Sequence, residues 1–204
     1  MCERCQDGIT LVEPPLCRRC GKGLQTADGR LCVDCRSGDH EVEQIRSVGY
    51  SEGVLREAIH ALKYDGITAL AAPLADVMAA YWSRHPMAVD VMVPVPLHRS
   101  RLRGRGFNQA ARLARGLSDR VGVPVDEEVM VRHRRTAAQV GLDADERTRN
   151  VHGAFRCVGT RAAGKDVLLI DDVCTTGSTL EACAVALRQG GAESVRALTV
   201  ARAR

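Results

Sequence analysis

Apolar residues along this chain follow two spacings, and each predicts a kind of element. Short apolar-rich runs occupy residues 45–50, 89–95, 167–170 and 195–200. Val167, Leu168, Leu169 and Ile170 stand together without polar alternation, the pattern of a parallel strand buried on both faces. Elsewhere apolar positions recur every three or four residues, as on one face of a helix. Leu55, Ile59 and Leu62 do so over 52–64, where Asp65-Gly66 ends the run. Leu70, Leu74, Val77, Met78, Tyr81 and Trp82 do so before Pro86, which assigns both aromatic side chains to the core. Ala110, Leu113, Leu117 and Val121 precede Gly122, and Leu180, Cys183, Ala184 and Leu187 precede Gly190-Gly191. The last of these helices joins two apolar runs, and a strand–helix–strand crossover makes parallel neighbours. The expected fold class is therefore α/β, a parallel sheet flanked by helices.

Three stretches lack both spacings. In residues 1–40, six of the nine cysteines form the pairs Cys2/Cys5, Cys17/Cys20 and Cys32/Cys35, with eleven residues between one pair and the next. A CxxC turn places two thiolates on one edge of a tetrahedron, and a second pair closes a structural zinc site. Cys17, Cys20, Cys32 and Cys35 are the preferred ligands, with Gly21 able to take the tight conformation that follows the second thiolate. Equal spacing keeps Cys2, Cys5, Cys17 and Cys20 as an alternative set, with His40 a weak extra ligand. So short a segment buries no core of its own, and metal binding would supply its folding energy. The expected division is a zinc-binding subdomain over 1–40 and a main domain over 41–204, joined by the polar residues 39–43. Cys157, Cys174 and Cys183 read as small buried hydrophobes, with Cys174 in a loop where it is oxidisable.

The second stretch, 97–109, alternates Arg99, Arg101, Arg103 and Arg105 with small or apolar residues. It predicts a flexible cationic loop, and guanidinium forks suit pyrophosphate or nucleic-acid phosphates. The third, 132–150, carries Arg132, Arg134, Arg135, Arg147 and Arg149 with little apolar periodicity and reads as a functional lid or a disordered connection. Lys63, His133, His152 and the tail 201–204 read as solvated.

Composition narrows the picture modestly. A net charge of +4 permits nucleic-acid binding without requiring it, and 3% aromatic content leaves few stacking platforms. No window has the length of a membrane helix, and no apolar stretch follows Met1-Cys2-Glu3-Arg4 to act as a signal peptide. A reducing cytoplasm is the expected location, where cysteines hold metal in preference to disulfides.

The most specific chemistry lies at 167–180, VLLIDDVCTTGSTL. Asp171 and Asp172 are expected where the apolar strand ends. Thr175, Thr176, Gly177, Ser178 and Thr179 then form a hydroxyl-rich turn before a helix, with Ser178 as candidate N-cap and Glu181 completing a capping box. Free amides, hydroxyls and a helix N-terminus suit a phosphate, and the carboxylates suit a sugar diol. A Walker B strand is the rival reading. It fails because Gly159 to Lys165 lacks the Ser or Thr of a P-loop and precedes a strand instead of following one.

This segment resembles the phosphoribosyl-pyrophosphate (PRPP) signature of type I phosphoribosyltransferases. PVPLHRSRLRGRGFNQ, the later Gln139 and Arg147-Thr148-Arg149-Asn150-Val151, and the CxxC region resemble the ComF (competence protein F) branch of that family. Members often carry four CxxC pairs, where this chain has three. The resemblance implies that Asp171 and Asp172 bind ribose hydroxyls and that Cys174 to Thr179 wrap the 5-phosphate. It also implies Mg²⁺ with PRPP, and a mobile hood for which 132–150 is the natural candidate. Arg99, Arg103 and Arg105 are the expected pyrophosphate contacts. Two functions follow as expectations: phosphoribosyl transfer to an unidentified acceptor, or single-stranded DNA binding in DNA uptake that uses the pocket without catalysis.

Overall fold

The computed structural model describes residues 2–25, 31–36, 40–136 and 143–204. Its centre is a four-stranded sheet of β1 (Gln44–Tyr50), β2 (Val91–Pro94), β5 (Asp166–Cys174) and β6 (Ser194–Arg202). The order is β1-β6-β5-β2, and every pair is parallel. A smaller antiparallel pair is made by β3 (Met130–Arg132) and β4 (Phe155–Cys157).

Period-two alternation in β5 explains how one strand serves two cores. Leu168 and Ile170 pack with α3 (Gly53–Tyr64), α4 (Ala71–Arg84) and α6 (Gln109–Val121) on one face. Val167 and Leu169 pack on the other face with α8 (Ser178–Gln189) and the β3–β4 pair. All four side chains are fully buried, as expected of a parallel strand covered on both sides. Tyr81 is buried and Trp82 packs beside it, so both aromatics are core residues. Because α8 and α6 lie on opposite faces, the carboxyl ends of β5 and β2 flank a topological switch point, where open α/β sheets hold ligands.

The described N-terminal residues lie against this sheet. After the short α1 (Glu3–Asp7), the chain runs antiparallel to β1, with Val12 N–H donating to the Val48 carbonyl and Tyr50 N–H to that of Thr10. This covers an edge that would otherwise offer unpaired backbone groups. The cysteine segment, with α2 (Val33–Arg36), follows; residues 26–30 and 37–39 fall outside the described residues.

Four expectations are corrected here. The arginine-rich 97–109 stretch is not a flexible loop: it holds helix α5 (Arg99–Arg105), started by His98 Nδ1 accepting from the Ser100 amide and ended at Gly106. Both ends of this helix have caps, which outweigh a sequence reading based on glycine content. The 132–150 stretch contains the end of β3 and α7 (Ala144–Val151), the latter with a complete capping box between Asp143 and Glu146. Gln139 lies outside the described residues. The tail is not wholly solvated, since β6 continues to a buried Arg202. Finally, Lys63 is a largely buried side chain on the inner face of α3.

Candidate functional site

Asp171 and Asp172 lie within β5 and not beyond it, because the ladder to β6 continues to the Cys174–Arg202 pair. Pleating aims them at opposite faces. Asp171 turns towards the α8 side, where Arg132 lies near, and its Oδ1 accepts from the Asp172 amide at 2.9 Å. Asp172 is buried on the α3 side and meets Lys63 Nζ at 2.6 Å through Oδ1. Burial, and then the Asp172 charge, push the Asp171 carboxyl up to about 7, with Lys63 and Arg132 acting in the opposite sense.

The turn beyond β5 is built differently from the expected capping box. Gly177, at φ 86°, occupies the N-cap position of α8 and brings no side chain to cap it; the Thr176 hydroxyl, one residue earlier, accepts from the Ser178 amide at 3.4 Å. Ser178 is the first helical residue; its Oγ lies 2.8 Å from Thr176 Oγ1 and 2.9 Å from Thr148 Oγ1 of α7. Glu181 reaches away from the turn, accepting from the amides of Glu41 at 2.5 Å and Val42 at 3.4 Å. The left-handed glycine explains the change, since it turns the chain into α8 with no hydroxyl at the N-cap position itself.

A cavity of about 140 Å³ joins these parts. Its walls include Lys63, Asp171 and Asp172, the turn residues Cys174, Thr175, Gly177 and Thr179, and Arg101, Gln109 and Arg132. Arg132 Nη2 donates to Thr136 Oγ1, and its guanidinium lies 5.1 Å from the centre of the Phe155 ring. Both aspartates and three of the five turn residues therefore share one small polar site at the switch point, with a helix N-terminus at one end and carboxylates at the other. Such a site accommodates a phosphate on a polyol. Thr176 and Ser178 line the other side of the turn, a cleft of about 850 Å³ shared with Arg19, Arg147 and Arg202.

Arg99, Arg103 and Arg105 do not line the 140 Å³ cavity; Arg101 and Arg132 do. Arg99 lines a separate cavity of about 760 Å³ beside Phe107 and Arg112. Arg105 donates to Gln109 Oε1 and lies 5.5 Å from the centre of the Tyr64 ring. Cys174 is buried, and its burial pushes the thiol up to about 11, which disfavours the thiolate from which oxidation proceeds. Lys63 is the site residue that sequence reasoning missed outright; Arg101, Gln109 and Arg132 lay in stretches it singled out but were not assigned to this cavity. A signal existed for Lys63: it falls four residues after Ile59, on the buried stripe of α3.

The preferred cysteine set comes together. Sγ atoms of Cys17, Cys20, Cys32 and Cys35 all lie within 4.8 Å of one another, whereas Cys2 and Cys5 lie outside this group. Cys20 and Cys32 sulfurs are 3.6 Å apart, close to the ~3.8 Å edge of a tetrahedron with 2.3 Å metal–sulfur bonds. The cluster can hold a metal ion. Gly21 takes φ 68°, and a Cβ there would lie 2.6 Å from the Ile45 carbonyl oxygen, so the knuckle turn requires glycine. Burial opposes ionisation of Cys17, but the Cys32, Cys20 and Arg19 amides outweigh it and bring the thiol down to about 6.

Comparison with known proteins gives these features a family. A sequence profile for the phosphoribosyl transferase domain matches residues 103–204, which include the turn and both aspartates. The chain belongs to the ComF/YhgH family of phosphoribosyltransferase-domain proteins. It is 36% identical to the DNA utilization protein YhgH of Salmonella typhimurium over 71% of this chain and 65% of that protein. It is also 36% identical to competence protein F of Haemophilus influenzae, over 56% of this chain and 51% of that protein. The chain thus spans about two thirds or less of the length of these relatives. Among solved structures, a glutamine PRPP amidotransferase from Bacillus subtilis complexed with ADP and GMP matches 64% of this chain and 26% of that one. Its identity is 18% and its TM-score 0.45. No helix among the described residues is long and apolar enough to cross a membrane.

Proposed function

We propose that this ComF/YhgH protein binds PRPP in the 140 Å³ cavity and transfers its 5-phosphoribosyl group. The observation that carries this reading is the convergence of Asp171, Asp172 and the turn residues Thr175, Gly177 and Thr179 on one cavity at the switch point. In this reading the turn amides and hydroxyls hold the 5-phosphate, and the two carboxylates hold the ribose diol. A nitrogen nucleophile forms a bond to the anomeric carbon as the bond to pyrophosphate breaks, and pyrophosphate leaves with the electron pair. Arg101 and Arg132 take the pyrophosphate-facing role expected of Arg99, Arg103 and Arg105. Mg²⁺ would neutralise charge on the leaving group, and Asp171, the less deeply buried of the two cavity carboxylates, has the hard oxygens this ion requires. Catalysis here rests on positioning and charge stabilisation. A structural zinc ion in the four-cysteine cluster, and a separate 1–40 subdomain built on it, belong to the same proposal.

A second reading has its own observation. The larger cleft beyond the turn presents Arg19, Lys22, Arg147, Arg202 and Arg204 against Asp34 and Glu181. That balance favours a polyanion, DNA fits the name of the DNA utilization relative, and a single strand is the form we propose. Calorimetry with PRPP and Mg²⁺, then with a short single-stranded oligonucleotide at two salt concentrations, separates the readings. Micromolar, weakly salt-dependent PRPP binding with pyrophosphate release on adding an amine or base supports the first. Oligonucleotide binding that weakens steeply with salt, with no PRPP heat, supports the second.

A further inference from the structure

Lys63 stands outside the residues matched by the phosphoribosyl transferase profile, yet it makes the closest charge contact in the cavity. Its Nζ lies 2.6 Å from Asp172 Oδ1, with side chains 19% and 4% exposed. Burial works against the ammonium, but the nearby Asp172 carboxylate outweighs it and holds the Lys63 value above that of a free lysine. Asp172 Oδ2 is buried and has no hydrogen-bond partner among the described residues. A buried carboxylate oxygen in that condition requires an explanation, and an incoming donor is one. Without Lys63, Asp172 Oδ1 would lose its one close cationic partner among the described residues, and the side chain would be free to turn away from the cavity.

The same segment reaches a second element of the site. Tyr64, the next residue, carries Arg105 of α5 over its ring. The end of α3 therefore contacts both the aspartate strand and the arginine helix.

We propose that Lys63 is a positioning residue: its ammonium fixes Asp172 through Oδ1 and reserves Oδ2 as the acceptor for a hydroxyl of a ribosyl 5-phosphate. The proposal rests on the phosphoribosyl reading of the cavity and adds a specificity determinant to it. Selectivity for ribose over 2-deoxyribose then depends on a side chain that touches neither the sugar nor the phosphate.

The test is calorimetry of ribose 5-phosphate and 2-deoxyribose 5-phosphate on the full chain and on Lys63→Met. The expected preference of the unmodified protein for the ribose compound is about tenfold, the usual value of a hydrogen bond to a charged group. In Lys63→Met the preference is expected to fall to about one, while affinity for the 2-deoxy compound stays within about threefold. A merely structural role would weaken both ligands together, and that result overturns the proposal, as does an unchanged preference in the folded variant. Should Lys63→Met not fold, Lys63→Gln keeps a donor but no charge; a full tenfold preference in it overturns the need for the cation. If the unmodified protein binds neither sugar phosphate, the phosphoribosyl reading fails first and the role of Lys63 falls with it.

Discussion

Arg202 Nη1 donates to the Cys20 carbonyl at 2.7 Å, and Arg202 is the register partner of Cys174 at the end of β5. The cysteine cluster and the start of the phosphate-type turn are thus joined through one buried guanidinium. Other knuckle carbonyls are held similarly: Ile45 N–H donates to Arg19 at 2.6 Å and Arg46 Nη2 to Arg18 at 3.1 Å. Four thiolates around a divalent ion would carry two net negative charges, which the Arg46 and Arg202 guanidinium groups would offset.

Coupling through Arg202 predicts a non-additive result. Arg202→Ala should cost about 2 kcal/mol, since a buried carbonyl loses a charged donor. That corresponds to roughly 4–8 °C in melting temperature for a chain of this size. Chelation of metal should lower the melting temperature of the parent protein, and the cost of Arg202→Ala should shrink once the knuckle is loosened. Thermal melts with and without chelator check this; equal costs in both conditions would refute the coupling.

The turn itself depends on Gly177. Its φ of 86° is a conformation that side-chain-bearing residues rarely adopt, and an added Cβ would lie 3.2 Å from Ile45 Cδ1. Gly177→Ala should cost about 1–2 kcal/mol in urea denaturation. It should also weaken ribose 5-phosphate binding by roughly tenfold, because the amides following Gly177 are re-aimed. Unaltered affinity in a folded variant would remove the turn from the proposed site.

The sheet and its helices were legible in the sequence because their apolar periods were clean. Val167 to Ile170 could only be a buried strand beside such helices, and the apolar stripe of α3 ended at Asp65-Gly66 as read. The cysteine set was legible up to one ambiguity, which three-dimensional proximity removed in favour of Cys17, Cys20, Cys32 and Cys35. What was not legible was long-range. Lys63 pairs with a residue more than a hundred positions away, and Glu181 serves the backbone at Glu41 and Val42 instead of its own helix. Local rules for capping and surface charge carry no information about such partners.

Glu181 yields a prediction of its own. Its carboxylate accepts from two backbone amides at the exit of the cysteine segment, with His40 Nδ1 at 3.7 Å. Glu181→Gln replaces one acceptor oxygen with a donor and should cost about 1 kcal/mol. Hydrogen exchange should accelerate at Glu41 and Val42 but not within α8, because the α8 N-terminus does not use this side chain. Faster exchange along the first turn of α8 would restore the capping-box reading.

Asp171 supplies the pH prediction. Burial and the Asp172 charge raise its folded-state value to about 7, above the ~3.9 of an unfolded chain. Between these values the folded protein binds the extra proton, so stability falls as pH rises. The contribution from this group is fully present below about pH 4 and lost once pH passes about 7. Asp171→Asn removes it, and the variant should therefore be more stable than the parent at pH 8, by on the order of 2 kcal/mol. Between pH 4 and 7 its stability should fall less with rising pH than that of the parent. Ribose 5-phosphate affinity moves the other way in the parent protein, rising towards pH 8 as the carboxylate ionises, and Asp171→Asn should remove that part of the rise. Urea denaturation and calorimetry at pH 5, 6, 7 and 8 check both slopes. Parallel stability curves for parent and variant would show that Asp171 already ionises well below neutrality. The cavity would then hold two permanent carboxylate charges against Lys63, Arg101 and Arg132.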